Sequence, residues 1–589
     1  MFSPKSFVAL ARVVTGSLIA GFLPTVNATF SIARCCTLAV RHEFHTHIEQ
    51  LYPWEVCNFN TEIDYGNNET FPSIVRSMGW AKEFCRGTQY SSLKQWLIPL
   101  STYISPYIGI LLLCPVGDVS EHRLVKWPGW DVVNDVLNGL RKPLQEYISI
   151  LGDPTSATFG ALHEIWSDAR TLSRLTRKNS GKLSRLRQRA LWVAVLAGDI
   201  QFSAQTNWKS QVIPALEASG GALHRDLLSN NSGDSKGNDR KITSQEVDIS
   251  PAKNESPSSA PQPLEYDAST EANKIDRAIE IVIVARNSFV GGVLIPVVLM
   301  LAVTAATFYD AYSKKGDKDT GLALAYCVWY SWILVLGVAG NCHASTLNPK
   351  VAKRAFEEVL TFGKEPVSTA LRHRYVNSYL WQTWAKRSGD LSAYQSMMGP
   401  LKSDWHFWLR FCTGQSLGFC CVAFSSACAI AIAWTTPTVG LGCRSFNFIL
   451  YVVLSFVTAC MHVLCSWLSV RWEVQQPSST VVTLLVARCT YWFLVFVNSL
   501  VVILGTLFHL VGVFRTCWCE QLTWTDSTLI ELNSKTPEAV DNARRYWLST
   551  AYIAFGVVWL ACLTAIAFRR FIIQKMEDWV VESAESDES

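Results

Sequence analysis

The chain has 589 residues, of which 49% are apolar, 12% aromatic and only 17% charged, with a net charge of +4. A soluble domain normally carries about a quarter charged residues, and here the apolar excess comes in blocks of roughly 20 residues, the length that crosses a bilayer as helix. That excludes an ordinary soluble enzyme, a fibrous protein and a mainly disordered one, and the small, scattered positive charge gives no case for nucleic-acid binding.

Residues 1–28 run from Lys5 and Arg12 into the apolar stretch Val13–Leu23 and then to Val26-Asn27-Ala28. This is the layout of a secretory signal peptide or, uncleaved, of a signal anchor. Residues 29–94 are then lumenal or extracellular. They hold Cys35, Cys36, Cys57 and Cys85, enough for two disulfides in any of three connectivities, and the glycosylation acceptor Asn68-Glu69-Thr70. Asn27 begins a second acceptor triplet beside the cleavage site.

Seven spans are predicted: 97–116 (the first transmembrane helix, within 95–117), 289–309, 321–340, 415–434, 446–470, 491–514 and 546–568, the last six within residues 276–568. The fold class is therefore an all-α integral membrane protein. It carries a small disulfide-stapled exterior segment and a large cytoplasmic insertion. The run 190–202 includes Asp199 and is too short to cross, so it reads as a core or interfacial helix. Orientation follows from basic flanks. Arg170–Arg189 holds eight Lys or Arg and no acid, the connector 341–410 holds ten basic against five acidic residues, and Arg569-Arg570 opens the acidic tail 569–589. These belong to the cytoplasmic side. Loops 310–320, 435–444 and 515–545 belong to the exterior with the N-terminus.

Within the insertion, residues 118–228 read as a cytoplasmic helical region. Val132, Val136, Leu140, Leu144 and Tyr147 mark one helical face, Gly152-Asp153-Pro154-Thr155 breaks the chain, and Phe159, Leu162 and Trp166 mark the next, giving a helical hairpin. Arg170–Arg189 suits anionic lipid headgroups or a solvated helix face. Residues 229–275 have almost no large apolar side chains and read as a disordered linker. In the connector, Tyr375, Tyr379, Trp381, Trp384, Trp405, Phe407 and Trp408 beside Lys and Arg indicate interfacial helices.

No nucleotide-binding, nucleophile-elbow, HExxH, kinase or DDxxD signature is present, so neither a cofactor nor a metal is expected. Ionisable residues within spans are the sharper test, because they are costly in lipid. His462 falls in the fifth span and is the candidate proton donor or acceptor, with helix association as its structural alternative; His509 lies near the outer end of the sixth. No carboxylate lies at mid-membrane depth, which argues against a coupled carrier and an acid-initiated cyclase. Cys517-Trp518-Cys519 can pair with Cys443 or with the N-terminal cysteines and staple the outer face.

Residues 127–135 (WPGWDVVND), 150–155 (ILGDPT), 163–169 (HEIWSDA) and Cys517-Trp518-Cys519 resemble segments of uncharacterised fungal polytopic membrane proteins, a group that implies no activity. The leading expectation is a non-enzymatic receptor-like, scaffolding or accessory component of the plasma membrane or endomembrane system, working with cytosolic protein partners. The alternatives are a membrane-embedded enzyme for isoprenoid or polyketide-type substrates and an uncoupled transporter or channel.

Overall fold

The computed structural model describes residues 32–43, 57, 70–85, 97, 99–114, 147–162, 200–202, 293–343, 369–371, 405–475, 478–515, 517–522 and 525–588. The signal segment, both N-terminal glycosylation acceptors, the basic stretch 170–189, the linker 229–275 and the connector aromatics before Trp405 lie outside them.

Most of the described chain is helical. Among the described residues, five helical stretches are long and apolar enough to cross a membrane: Lys318–Cys342, Phe411–Thr435, Cys443–Leu468, Val482–Val511 and Pro537–Phe571. Each overlaps an expected span. The other two expected spans coincide with shorter apolar helices, Leu100–Leu112 and Val297–Ser313. Around the outside, α4 (Ile295–Ser313), α9 (Ser478–Val511) and α12 (Ser549–Glu588) leave Leu299, Val482, Leu485, Ile553, Leu560 and Leu563 more than half exposed. Such a continuous apolar coat is costly in water and is what a bilayer covers.

The middle of the bundle is built on α5 (Lys318–Trp329) and α6 (Ser331–His343). The sequence reads as one span here, and the stretch Lys318–Cys342 is helical apart from a one-residue turn at Tyr330, whose N–H still reaches Tyr326 O at 3.1 Å. Packed around this axis are α3 (Ser105–Leu113), α7 (Trp405–Thr435), α8 (Cys443–Gln475), α9 and α12.

One end of the bundle carries a cap. Strand β1 (Val75–Ser77) pairs antiparallel with Leu529–Glu531, and α1 (Ile32–Glu43) and α2 (Met78–Phe84) lie over it. Ile530 and Leu532 are buried among Cys35, Cys36, Met78 and Ala81. Three cysteine pairs stand at disulfide distance, Cys35–Cys85, Cys36–Cys57 and Cys443–Cys519, with Cα separations of 5.1, 5.5 and 4.8 Å. Loops expected on the exterior meet here: Lys535 takes Gly316 O and gives its own carbonyl to Phe71 N, both at 3.0 Å, and Leu522 N reaches Leu441 O at 2.9 Å.

Two regions differ from the sequence reading. Residues 200–202 form a strand, β2 (Ile200–Phe202), paired with β3 (Thr369–Leu371), not the end of a helix. The second is the segment around Gly152: of the expected hairpin only residues 147–162 are described, as two short helices meeting at Asp153 and buried against neighbouring helices.

Candidate functional site

Residues 147–152 and 154–162 are two short helices joined at Asp153, and they are buried inside the bundle. Asp153 ends the first, its N–H donating to Ser149 O at 2.9 Å, and caps the second, its Oδ1 accepting from Ser156 N at 3.0 Å. Pro154 follows at the first helical position, where no N–H is needed. Both arms open toward the end of the bundle opposite the cap. Tyr147 Oη reaches Leu112 O at the close of α3, while Phe159 packs edge-on to Phe411 near the start of α7. The tip lies deeper: Gly152 O accepts from Asn498 Nδ2 at 3.0 Å, and that amide also reaches Ser455 Oγ at 3.0 Å. Asn498 and Ser455 sit near the middles of Val482–Val511 and Cys443–Leu468. The two described arms thus both point toward one end of the bundle and meet at a buried tip.

Glycines make the seat. Gly414 and Gly418 on α7 face the second arm so closely that an added Cβ would stand 2.0 Å from Phe159 Cε2 and 2.4 Å from Thr155 O respectively. This small-x-x-x-small spacing is the usual device for close helix approach in lipid.

Between the seat and the tip is a buried polar centre. Tyr491 Oη donates to Asp153 Oδ2 at 2.7 Å. His462 Nδ1 lies 2.6 Å from Ser156 Oγ, 3.3 Å from Gln415 Nε2 and 4.0 Å from Asp153 Oδ2. The Phe411 and Tyr491 rings flank the imidazole at 5.9 and 5.7 Å between centroids. His462 lies six residues in from Leu468 and Tyr491 nine in from Val482, so the centre sits about 10 Å inside the apolar span ends at 1.5 Å rise per residue. The sequence reading looks for carboxylates within the spans; Asp153 comes instead from the hairpin and is buried against α8 and α9.

The chemistry open to this centre is proton exchange. A Ser–His–Asp hydrolytic relay needs the acid on one ring nitrogen and the nucleophile on the other. Here Ser156 and Asp153 both approach Nδ1. Among the described residues no group of three His, Cys, Asp or Glu side chains is placed to hold a metal ion. Comparison with known proteins adds nothing to this reading. No protein-family model, curated protein or solved structure matches the chain.

Above the tip lies a dense aromatic layer. Tyr451 Oη donates to Leu151 O at 3.2 Å, and its ring stands edge-on to Trp329 at 5.2 Å, so one side chain touches both the hairpin and the end of α5. Tyr330 contacts Thr506, and Tyr326 Oη donates to Gly505 O at 3.1 Å. His509 stacks on Tyr326 with centroids 4.2 Å apart, and its Nε2 is hydrogen-bonded to Tyr103.

At the cap, Glu520 is 3% exposed yet charged. Burial alone would raise its carboxyl; Arg444 at 2.6 Å, Lys318 at 3.6 Å and the Thr438 amide outweigh that and hold it below its ordinary value. Asp317 caps α5 through Thr320 and is pushed up to about 6, first by burial and then by Asp319. Of the cysteines named from sequence, Cys519 lies by Cys443, with Glu520 and Arg444 next in the chain; the side chain of Cys517 lies outside the described set.

Sequence reasoning found His462 and missed Asp153, Ser156, Gln415 and Tyr491. The available signals were Gly414-x-x-x-Gly418 and the helix-starting run Asp153-Pro154-Thr155-Ser156.

Proposed function

We propose that this chain is an integral membrane transport protein whose coupling carboxylate is Asp153, delivered into the bundle by the 147–162 hairpin. The observation that carries this is one buried acid–imidazole centre at a backbone break inside the spans. Irregular backbone at membrane depth is tolerated only where protein or a water-lined cavity encloses it, and it is the usual builder of transport sites. Intramembrane acids and histidines are rare and costly, and mark ion and substrate pathways.

Asp153→Asn tests it. The amide keeps the cap on Ser156 N and the contact with Tyr491 but cannot carry a proton. In proteoliposomes holding the full chain, flux of protons or of a broad solute panel is expected to fall at least tenfold, with melting temperature and monodispersity kept. Unchanged flux would return the hairpin to a fixed core element. That is the receptor-like or scaffolding alternative, which the close packing at Gly152, Gly414 and Gly418 favours.

The sidedness proposed is seven spans with the cap and N-terminus lumenal or extracellular and the hairpin mouth, linker and C-terminus cytoplasmic, where Arg170–Arg189 meets anionic lipid. Glycosylation mapping checks it: an endoglycosidase-sensitive mass shift is expected that disappears in Asn68→Gln and is untouched by changes at Asn230 or Asn254. A glycan on the linker would invert the orientation.

A further inference from the structure

We infer that protons are the transported or coupling ion, and that they cross along the seam between α8 and α9, with the His509–Tyr103 pair as the station at the cap end. This inference rests on the transport reading and names its substrate. The seam is a file of buried polar groups running the depth of the bundle. On α9, Tyr491 and Asn498 stand seven residues apart, with Thr506 and His509 further along; on α8, His462 lies against Tyr491 and Ser455 Oγ accepts from Asn498 Nδ2. Asp153, Ser455 and Asn498 are fully buried, and His462 and His509 nearly so, at 5% and 2% exposure.

Polar side chains at every level of an apolar bundle are a cost that close packing of Leu and Val would avoid. Several stations here are also groups that both donate and accept: carboxyl, imidazole, the hydroxyls of Ser156, Tyr491 and Ser455, then Tyr330 with Thr506, and Tyr103 with His509. Asn498 carries no proton itself but fixes the tip through Gly152 O and can orient water on either side. Seven residues of helix rise span about 10 Å, so conduction between stations needs two or three waters to enter the seam.

The step balances without a co-reactant. A proton from water at the hairpin mouth protonates the Asp153–His462 centre. Each following O–H or N–H bond forms as the one behind it breaks, and His509 releases one proton at the cap end. Among the described residues, these groups face the stations. Tyr491 and His462 face Asp153, with Tyr451 bonded to Leu151 O beside it, while Gln415, Phe411, Ser156 and Tyr491 face His462. Exposed Arg488 lies one turn before Tyr491 on α9. Tyr103 and Tyr326 face His509, and Arg444, the charge at the head of α8, is held by Glu520.

The test is proton uptake by liposomes carrying the full chain, with an internal pH dye and a valinomycin-clamped potassium gradient as driving force. Wild type is expected to acidify the lumen well above the protein-free rate. Both Tyr103→Phe, which removes one hydroxyl, and His509→Gln are expected to slow it at least tenfold. An infrared carboxyl band lost in Asp153→Asn should persist in both, showing that the centre itself is intact. If Tyr103→Phe and His509→Gln conduct like wild type while Asp153→Asn does not, the seam is overturned and the transport reading stands. Solute flux sensitive to Asp153→Asn without any proton uptake would overturn protons as the ion, again leaving that reading. If wild-type liposomes pass neither protons nor solutes, both fall.

Discussion

Gly152→Ala is expected to be among the most damaging single-methyl additions in the bundle. An alanine Cβ there would stand 2.0 Å from Val495 O and 2.7 Å from Val495 C, backbone atoms in mid-α9 that cannot rotate away as a side chain would. Overpacking a tight core costs about 1–3 kcal/mol and more where nothing can yield. Pushing the tip out would also strain the Tyr491–Asp153 and Asn498–Gly152 hydrogen bonds, each contributing roughly 1 kcal/mol. The total expected loss is about 3 kcal/mol or greater, read as a lower melting temperature in detergent or as loss of the monodisperse species. Gly109→Ala and Gly556→Ala are the controls, since a methyl at either meets nothing within 4 Å. In a helix they should be neutral or stabilising by up to about 1 kcal/mol. Equal melting of all three variants would mean that the hairpin is not seated against α9.

The contrast between the spans and the hairpin shows what the sequence could carry. Stretches such as Phe446–Val470 identify themselves because one local rule, length of apolar run, decides them. Residues 147–162 defeat that rule. Each arm goes only part-way into the bundle, and Asp153-Pro154 at the tip reads as a turn in water. The apolar stripe through Phe159 was legible, but its partner, Phe411, lies some 250 residues away on α7. Whether Asp153 is a solvated turn residue or a buried acid is fixed by Tyr491 and His462, on two further helices. His462 was legible because it stands inside an unmistakable span. The turn at Tyr330 was not, since no Gly or Pro marks it and its side chain is held by Thr506 on α9.

At the cap, Glu520→Ala is expected to cost about 3–5 kcal/mol, the range for removing one partner of a buried ion pair. It would leave Arg444, 6% exposed, and Lys318, 4% exposed, without the carboxylate that both approach. Arg444 would keep only its bonds to Phe514 O, and Lys318 its bond to Glu531 O. Glu520→Gln keeps shape and part of the hydrogen bonding and should cost less. The two buried acids of this cap give opposite pH signatures. Glu520 is held below its ordinary value, so its stabilisation is present above the unfolded glutamate range of about 4.3 and lost as pH falls through the folded value. Asp317 is pushed up to about 6, so its contribution is fully present below the unfolded aspartate range and is lost as pH rises through about 6. Melting curves from pH 3 to 8 should therefore show a drop on the acid side that Glu520→Gln removes. They should also show a decline between about pH 4 and 6 that Asp317→Asn removes while still capping α5 through Thr320 N. An acid-side drop that survives in Glu520→Gln would locate the responsible carboxylate elsewhere and leave the Arg444–Glu520–Lys318 network without a part in the acid stability of the cap.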